Sequence, residues 1–558
     1  MDAVVLSIPY ISPYMTVAFE SGQLPIGAVI ERVEEYCRGA SEGGHDHKVL
    51  VLAPEELPAA INALVPKSWE RVVVADPDGA AVFDAVLRAT SEQSAQVGTE
   101  PGTEAATAEP GTEPGTEHIL WVDGLSPFWS VGIARHLYNL HRDSWCDYTF
   151  ADGFPTGFAP EIVRRETLAP LRELASAGNI PWTRTILFDA MMRDINAFDV
   201  ETEAAQEDYA LLRVSLTVDQ RGDYLVCRNA ARYLGTEQSG TEQPGSALFD
   251  EDSEPILQFV LNRGASHRTA PRYAQVQIST AQSVVPGYMQ VDGMALGTEQ
   301  EKNHRATNQP TDPPVELSPE LFGRFLSQLH DLSPEATVAI GYRGEPALHS
   351  NLAAIIAACE NLPKGTFFLE TSGVGWSPDL IQLLITTNVF RAIIVEIDAN
   401  TEQTYTQLRG EHWNEVQNFV EILRGALPGN VYVQATRLQE NEWELQDFFR
   451  RWDETPGVTP IIQKYDDIAG KLPDRRVSDL SPITRCPCFH LQRDIVVHAD
   501  GTVPRCFQDI DAEAVRGSIA SDSLEAIWNR GADEYLAHQR EEYPSMCKSC
   551  DEYYTFNA

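Results

Sequence analysis

An α/β protein in three parts is what this chain predicts, on three observations. Apolar β-branched runs alternate with helical patterns through most of its 558 residues, low-complexity inserts cut it into segments, and five of its nine cysteines crowd into residues 486–550. The alternation is the pattern of parallel sheets covered by helices. The length exceeds what one hydrophobic core supports, and 43% apolar residues suffice for several. The expected division is a first α/β domain over 1–234, a linker over 235–268, a partial (β/α) barrel over 269–462, and a small C-terminal α+β domain over 463–558.

In the first segment the runs at 3–8, 49–52, 72–75 and 119–122 are expected as buried strands. A Gly-Thr-Glu unit recurs at Gly98, Gly102, Gly111 and Gly115, then at Gly235, Gly240 and Gly297. Stretches so poor in large apolar side chains cannot offset the entropy of ordering, so 91–117 and 296–313 are expected to be disordered. In the second segment, 274–278, 337–340, 366–369, 392–397 and 431–435 are expected as strands. They alternate with helices at 319–331, 353–360, 377–386 and 414–427. Five β/α units in succession predict an open or partial barrel, whose working face is the carboxyl end of its strands.

A net charge of -40 opposes nucleic-acid binding, which needs basic surface, and opposes adsorption to anionic lipid. The opening Met1-Asp-Ala-Val-Val-Leu lacks the basic n-region of a secretory signal, and no apolar run is long enough to span a bilayer. An odd number of cysteines favours a reducing compartment, so the expected location is the cytoplasm, with no nucleic-acid or membrane partner.

The tail carries the plainest chemistry: Cys486-Pro-Cys488, the turn Asp500-Gly501, Cys506, and Cys547-Lys-Ser-Cys550. Four thiolates with one close pair suit an iron–sulfur cluster, in which each iron takes one sulfur. The same set also suits a structural zinc ion, leaving a zinc-stapled interaction scaffold as an alternative. Asp500-Gly501 predicts a hairpin that brings Cys488 and Cys506 face to face. Cys37, Cys146, Cys227 and Cys359 are isolated and expected as ordinary buried thiols. His490, His498 and His538 are candidates to stand behind the metal ligands, with an exposed or capping role the commoner outcome for each.

Gly341-Tyr-Arg-Gly-Glu-Pro346, then Glu370-Thr-Ser-Gly373, then Ile397-Asp-Ala-Asn400 with Tyr405 and Leu408-Arg-Gly410, follow one another in an order that resembles the radical-SAM barrel. The resemblance implies that Gly344, Glu345, Thr371 and Ser372 line an S-adenosylmethionine pocket, with Glu345 meeting the amino group and Gly344 allowing close approach. The segment after the first barrel strand, Thr280-Ala-Gln-Ser-Val-Val-Pro-Gly-Tyr-Met289, lacks the C-x-x-x-C-x-x-C of that family. No cysteine lies between Cys227 and Cys359. Cleavage of S-adenosylmethionine by the usual mechanism is therefore not expected.

The tail resembles the SPASM domain, which implies Cys488, Cys506, Cys547 and Cys550 as ligands of one 4Fe–4S cluster, with Cys486 as alternate or spare. Five cysteines cannot fully ligate two clusters. Residues 119–234 resemble a cytidylyltransferase-type nucleotidyltransferase, through Val122-Asp123-Gly-Leu-Ser-Pro127, Asp147 to Glu161, and Arg213 to Asp219. That resemblance implies Asp123 and Asp219 as magnesium holders in sugar activation. Yet Ser7-Ile-Pro-Tyr-Ile-Ser-Pro-Tyr-Met-Thr16 stands where a glycine- and arginine-rich phosphate loop belongs, and the first cationic side chain is Arg32. Taken together the segments resemble the spiro-SPASM family. The resemblance implies a binding, electron-relay or accessory role toward a peptide, sugar or protein substrate.

Overall fold

The computed structural model of the chain describes residues 2–41, 47–75, 78–91, 117–237, 253–291, 294–295, 314–362, 365–482 and 484–555. The disorder expected of 92–116 and 296–313 concerns residues outside these. The described residues form two compact units, Met1–His267 and Arg268–Ala558.

The first unit is built on seven strands: β1 (Ala3–Ser7), β2 (Lys48–Ala53), β3 (Glu70–Val73), β4 (His118–Asp123), β5 (Tyr148–Asp152), β6 (Glu161–Arg164) and β7 (Val200–Ala204). Their order in the sheet is β3-β2-β1-β4-β6-β5-β7. The first four are mutually parallel; β1, β2 and most of β4 are buried on both faces and read as continuous apolar runs, whereas β3, expected as buried, is an edge strand that leaves Val73 exposed. In a doubly wound sheet of this order the ligand crevice lies at the carboxyl ends of the strands, where the order reverses between β1 and β4. The segment expected as a linker differs. Its helix Ser253–Asn262 buries Ile256, Leu257, Phe259 and Val260 in the core of this unit, because its apolar spacing is helical rather than linker-like.

The second unit contains β8 (Tyr273–Val276), a short antiparallel pair β9 (Gln290–Val291) and β10 (Met294–Ala295), then β11 (Thr337–Ile340), β12 (Thr366–Thr371), β13 (Phe390–Glu396), β14 (Val431–Arg437) and β15 (Val458–Lys464). The helices between them start where capping predicts. Ser318 and Ser377 accept the backbone N–H groups of Leu321 and Leu380, each with proline at the first helical position. From the tail come β16 (Asp494–Val497), β17 (Thr502–Val503) and β18 (Gly517–Ser518).

The large sheet runs β15-β14-β13-β12-β11-β8-β16 and is parallel throughout. β16 lies outside the expected barrel, yet it pairs with β8 in the register Asp494↔Tyr273 to Val497↔Val276. Ile495, Val497, Leu524, Ile527 and Trp528 of the tail share one core with the barrel strands. The expected turn at Asp500-Gly501 is present, closed by the His498 N–H on the Thr502 carbonyl at 2.9 Å. Gly501 does turn the chain, at φ +84, but β17 pairs with β18 rather than closing a ladder on β16.

The Asp398 to Gly410 motif is a structural lock. The Asp398 carboxylate, 0% exposed, accepts Arg409 Nε at 2.6 Å, the Tyr288 hydroxyl at 2.6 Å and the Thr436 N–H at 2.7 Å. Arg409 also reaches Glu396 at 2.6 Å. Removing one member of such a pair strands the other charge. Arg409→Met is expected to cost about 3–5 kcal/mol by urea unfolding; a loss under about 1 kcal/mol would contradict the lock.

Candidate functional site

At the carboxyl ends of the barrel strands lies a cavity of about 280 Å³. Its character follows from the alternation of side chains along each strand. One face of the sheet is apolar: Ala274, Val276, Phe367, Leu369, Ile393, Val395, Val431 and Val433 enter the core. The opposite face supplies the cavity with Gln275 of β8, Glu370 of β12, Glu396 of β13, Gln434 and Thr436 of β14, and Gln463 of β15. A barrel filled only for stability would carry branched apolar residues there.

Gly344, Glu345, Thr371 and Ser372 all line this cavity. Three of them are also bonded to one another. The Glu345 carboxylate accepts the Thr371 hydroxyl at 2.6 Å, the Ser372 hydroxyl at 2.5 Å and the Ser372 N–H at 3.0 Å. It is 4% exposed and its oxygens are occupied, so it ties the loop after β11 to the end of β12. A Cβ on Gly344 would stand 1.8 Å from the Ser279 carbonyl oxygen, and one on Gly341 (φ +122) 2.1 Å from that of Glu370. The close approach that Gly344 permits is to the segment after β8. In that segment, where cluster-binding cysteines would stand in the resembling family, Ser283 bonds to Ser372 at 2.9 Å.

Glu370 is different. Among the described residues its carboxylate has no hydrogen-bond partner. Burial first, then the neighbouring Glu396 charge, push it from 4.5 to about 7. A carboxyl that binds its proton more tightly folded than unfolded loses stability as pH rises between those two values. Glu370→Gln is therefore expected to gain on the wild type from pH 5 to pH 8, by on the order of 2 kcal/mol in urea unfolding. A difference that stays constant with pH would contradict this.

The tail places Cys488, Cys506, Cys547 and Cys550 around a second, smaller cavity, and Cys486 is not among its lining residues. Cys488 precedes the short helix Phe489–Arg493 that leads into β16; Cys506 follows β17; Cys547 lies in the helix Ser545–Ser549, with Cys550 just beyond it. Burial, with Cys547 as a neighbour, pushes the Cys488 thiol up to about 12. Burial and the adjacent thiols also raise Cys506 and Cys550. Among the described residues no three His, Cys, Asp or Glu side chains converge on a point that one metal ion would occupy. Four thiols around a shared volume, two buried and two half-buried, fit the donor set of an iron–sulfur cluster. Loading such a site must release protons.

The three tail histidines are buried, not exposed. His490 bonds to Asp494 at 2.6 Å and to the Glu552 carbonyl at 2.9 Å, and it lines the cysteine cavity with His538. His498 stacks on Tyr342. Their periodicity is hidden in loops and short helices, where burial comes from distant elements. Phe507 and Glu552 line both cavities, so the two share a wall. Among the isolated thiols, Cys146, Cys227 and Cys359 are buried and Cys37 is half-buried.

In the first unit, Asp123 ends β4 at the reversal of strand order. It accepts the Ser126 hydroxyl at 2.6 Å and the Leu125 N–H at 3.1 Å. Burial raises it to about 6 against the opposing pull of Arg184, with Asp219 adding to the rise. Arg184 bonds to Asp219 at 2.9 Å. The structure thus brings Asp123 and Asp219 together, but with a guanidinium already beside them. The cation absent from the loop after β1 arrives from the turn before the helix Ile186–Met191, which no local motif signals. An arginine against this pair is a poor fit to magnesium, which needs the carboxylate charge for itself.

Residues 486–551 match the SPASM family, an iron–sulfur cluster-binding domain. Over a longer span the chain belongs to the same family as an uncharacterized protein of Treponema pallidum (strain Nichols), with which it is 30% identical over 387 residues, 67% of this chain and 99% of that one. Similar solved structures include SuiB of Streptococcus suis bound to the precursor peptide SuiA (12% identity, TM-score 0.38, 63% of this chain and 88% of that chain). BtrN in complex with AdoMet and 2-DOIA is another (16%, 0.33, 50% and 93%). A third is a cytidylyltransferase from Leptospira borgpetersenii serovar Hardjo-bovis (strain JB197) (14%, 0.33, 47% and 94%). At these scores the structural likeness is loose. Among the described residues no helix is long and apolar enough to cross a membrane.

Proposed function

We propose that the chain is an iron–sulfur protein holding one 4Fe–4S cluster on Cys488, Cys506, Cys547 and Cys550, set against a ligand cavity in a radical-SAM-like barrel that lacks a catalytic cluster. Its role on this reading is binding and electron relay in the modification of a peptide or sugar. The observation that carries it is the shared wall: Phe507 and Glu552 face both the cysteine cavity and the barrel cavity. When bound, the cluster supplies one-electron transfer. The chain's own residues do the rest. The four thiols hold the cluster, the Phe507 ring keeps water from the wall, and His490, fixed by Asp494, packs at 4.7 Å against Phe507.

The SPASM match over 486–551 supports iron–sulfur over zinc. S-adenosylmethionine is a ligand to test for the barrel cavity, without cleavage, since no cysteine lies between β8 and Cys359. Transferase chemistry through Asp123 and Asp219 is disfavoured by Arg184.

Anaerobic purification with iron and sulfide analysis tests the assignment. The expected protein is brown, bleaches with dithionite and holds about four irons per chain. Cys506→Ala is expected to lose most of that iron and Cys486→Ala to keep it. Colourless protein with one zinc, or equal loss in both variants, would overturn it.

A further inference from the structure

We propose that the barrel cavity is a receptor for an organic cation, a primary ammonium or guanidinium on a short carbon chain, seated among Glu370, Glu396 and the amide oxygen of Gln275. The inference rests on the reading of this cavity as a ligand site and names the chemical class that it takes.

Three observations carry it. The first is a set of acceptors waiting for donors. Gln275 is 8% exposed and lines the cavity, yet its Oε1 has no hydrogen-bond partner among the described residues; the same holds for Oε1 of Gln282. With the unpartnered Glu370 carboxylate, three acceptors face one volume. A buried acceptor left unmade is costly, so a ligand rich in N–H donors gains on entering.

The second is the imbalance of charge. Five acids line the cavity, Glu345, Glu370, Glu396, Asp466 and Glu552, against Arg343 and Lys464. Lys464 is held by Asp551 and Glu552 at its edge. Arg409 approaches Glu396 from behind, 1% exposed and shared with Asp398, so it cannot swing to Glu370. One guanidinium thus serves both Glu396 and Asp398, and Glu370 beside Glu396 has no cation of its own among the described residues. A ligand cation beside Glu370 supplies that charge, whereas a ligand anion there adds to the excess of acids.

The third is the wall. Tyr273 stands close enough to Glu370 to feel its charge, and Tyr288 and Tyr465 also line the space. Aromatic side chains along the wall accommodate the short hydrocarbon body of such a ligand. Backbone carbonyls alone would not discriminate in this way.

Titration calorimetry and thermal-shift measurements on the full chain, prepared anaerobically, test the proposal with agmatine, cadaverine and spermidine as probes. Glutarate and 1,5-pentanediol serve as anionic and neutral controls of matched length, and S-adenosylmethionine is titrated separately. At least one amine is expected to bind and raise Tm, glutarate and the diol to do neither, and the isosteric Glu370→Gln to weaken the amine about tenfold or more. Gln275→Met provides a second variant, with a smaller weakening expected. Amine binding equal in wild type and Glu370→Gln overturns the proposal. Binding of pentanediol without any amine overturns the cation assignment and leaves the cavity a ligand site; S-adenosylmethionine, itself a sulfonium with a primary ammonium, supports the assignment if Glu370→Gln weakens it and overturns it if binding is unchanged. Silence from every probe overturns both.

Discussion

The pairing of β16 with β8 is the constraint on which the second unit depends. Four residues of the tail, Asp494–Val497, complete the edge of the barrel sheet in parallel register with Tyr273–Val276. A parallel pair needs a long crossover, and here the crossover is the whole barrel. Cys488 stands six residues before the start of that strand and Cys506 three residues beyond β17, which follows it across the Gly501 turn, so both sulfurs are held close to the sheet whose inner face builds the cavity. The cysteine site is consequently not an appended module. Its core is continuous with the barrel core through Ile495, Val497 and Trp528.

The inner face of the sheet departs from stability alone. Gln275, Glu370, Glu396 and Gln434 occupy positions where branched apolar side chains would pack better. Such groups are expensive unless partnered, and the partners that exist serve other ends. Thr371 and Ser372 satisfy Glu345, and Arg409 satisfies Asp398. The unpaired remainder at Glu370 and Gln275 is where sequence-to-structure consistency fails, and such failures concentrate at functional sites. Beside it the shared Phe507 and Glu552 bring the cysteine cavity within one side chain's thickness.

Much of this was legible in the residues alone. The barrel strands and helices fall within a few residues of their expected limits, because buried strands and amphipathic helices write a local period. The clustering of the tail cysteines was visible in their spacing, and four of the five line one cavity while Cys486 does not. What was not legible is non-local. β16 is only four residues long and acquires its partner from 221 positions away in register, Asp494 against Tyr273. The burial of His490 and His538, the arrival of Arg184 beside Asp219, and the capture of Glu345 by Thr371 and Ser372 all depend on elements brought together by the fold. A motif such as Gly-Glu-Pro marks a strand end, yet it cannot say whether its carboxylate is free.

The most direct measurement is electron paramagnetic resonance with spin counting on anaerobically reconstituted, dithionite-reduced protein. One paramagnetic 4Fe–4S centre per chain, retained in Cys486→Ala and lost in Cys550→Ala, is the predicted result. Two centres per chain, no centre, or a signal indifferent to Cys550 would contradict a single cluster held by the four thiols at the barrel's edge.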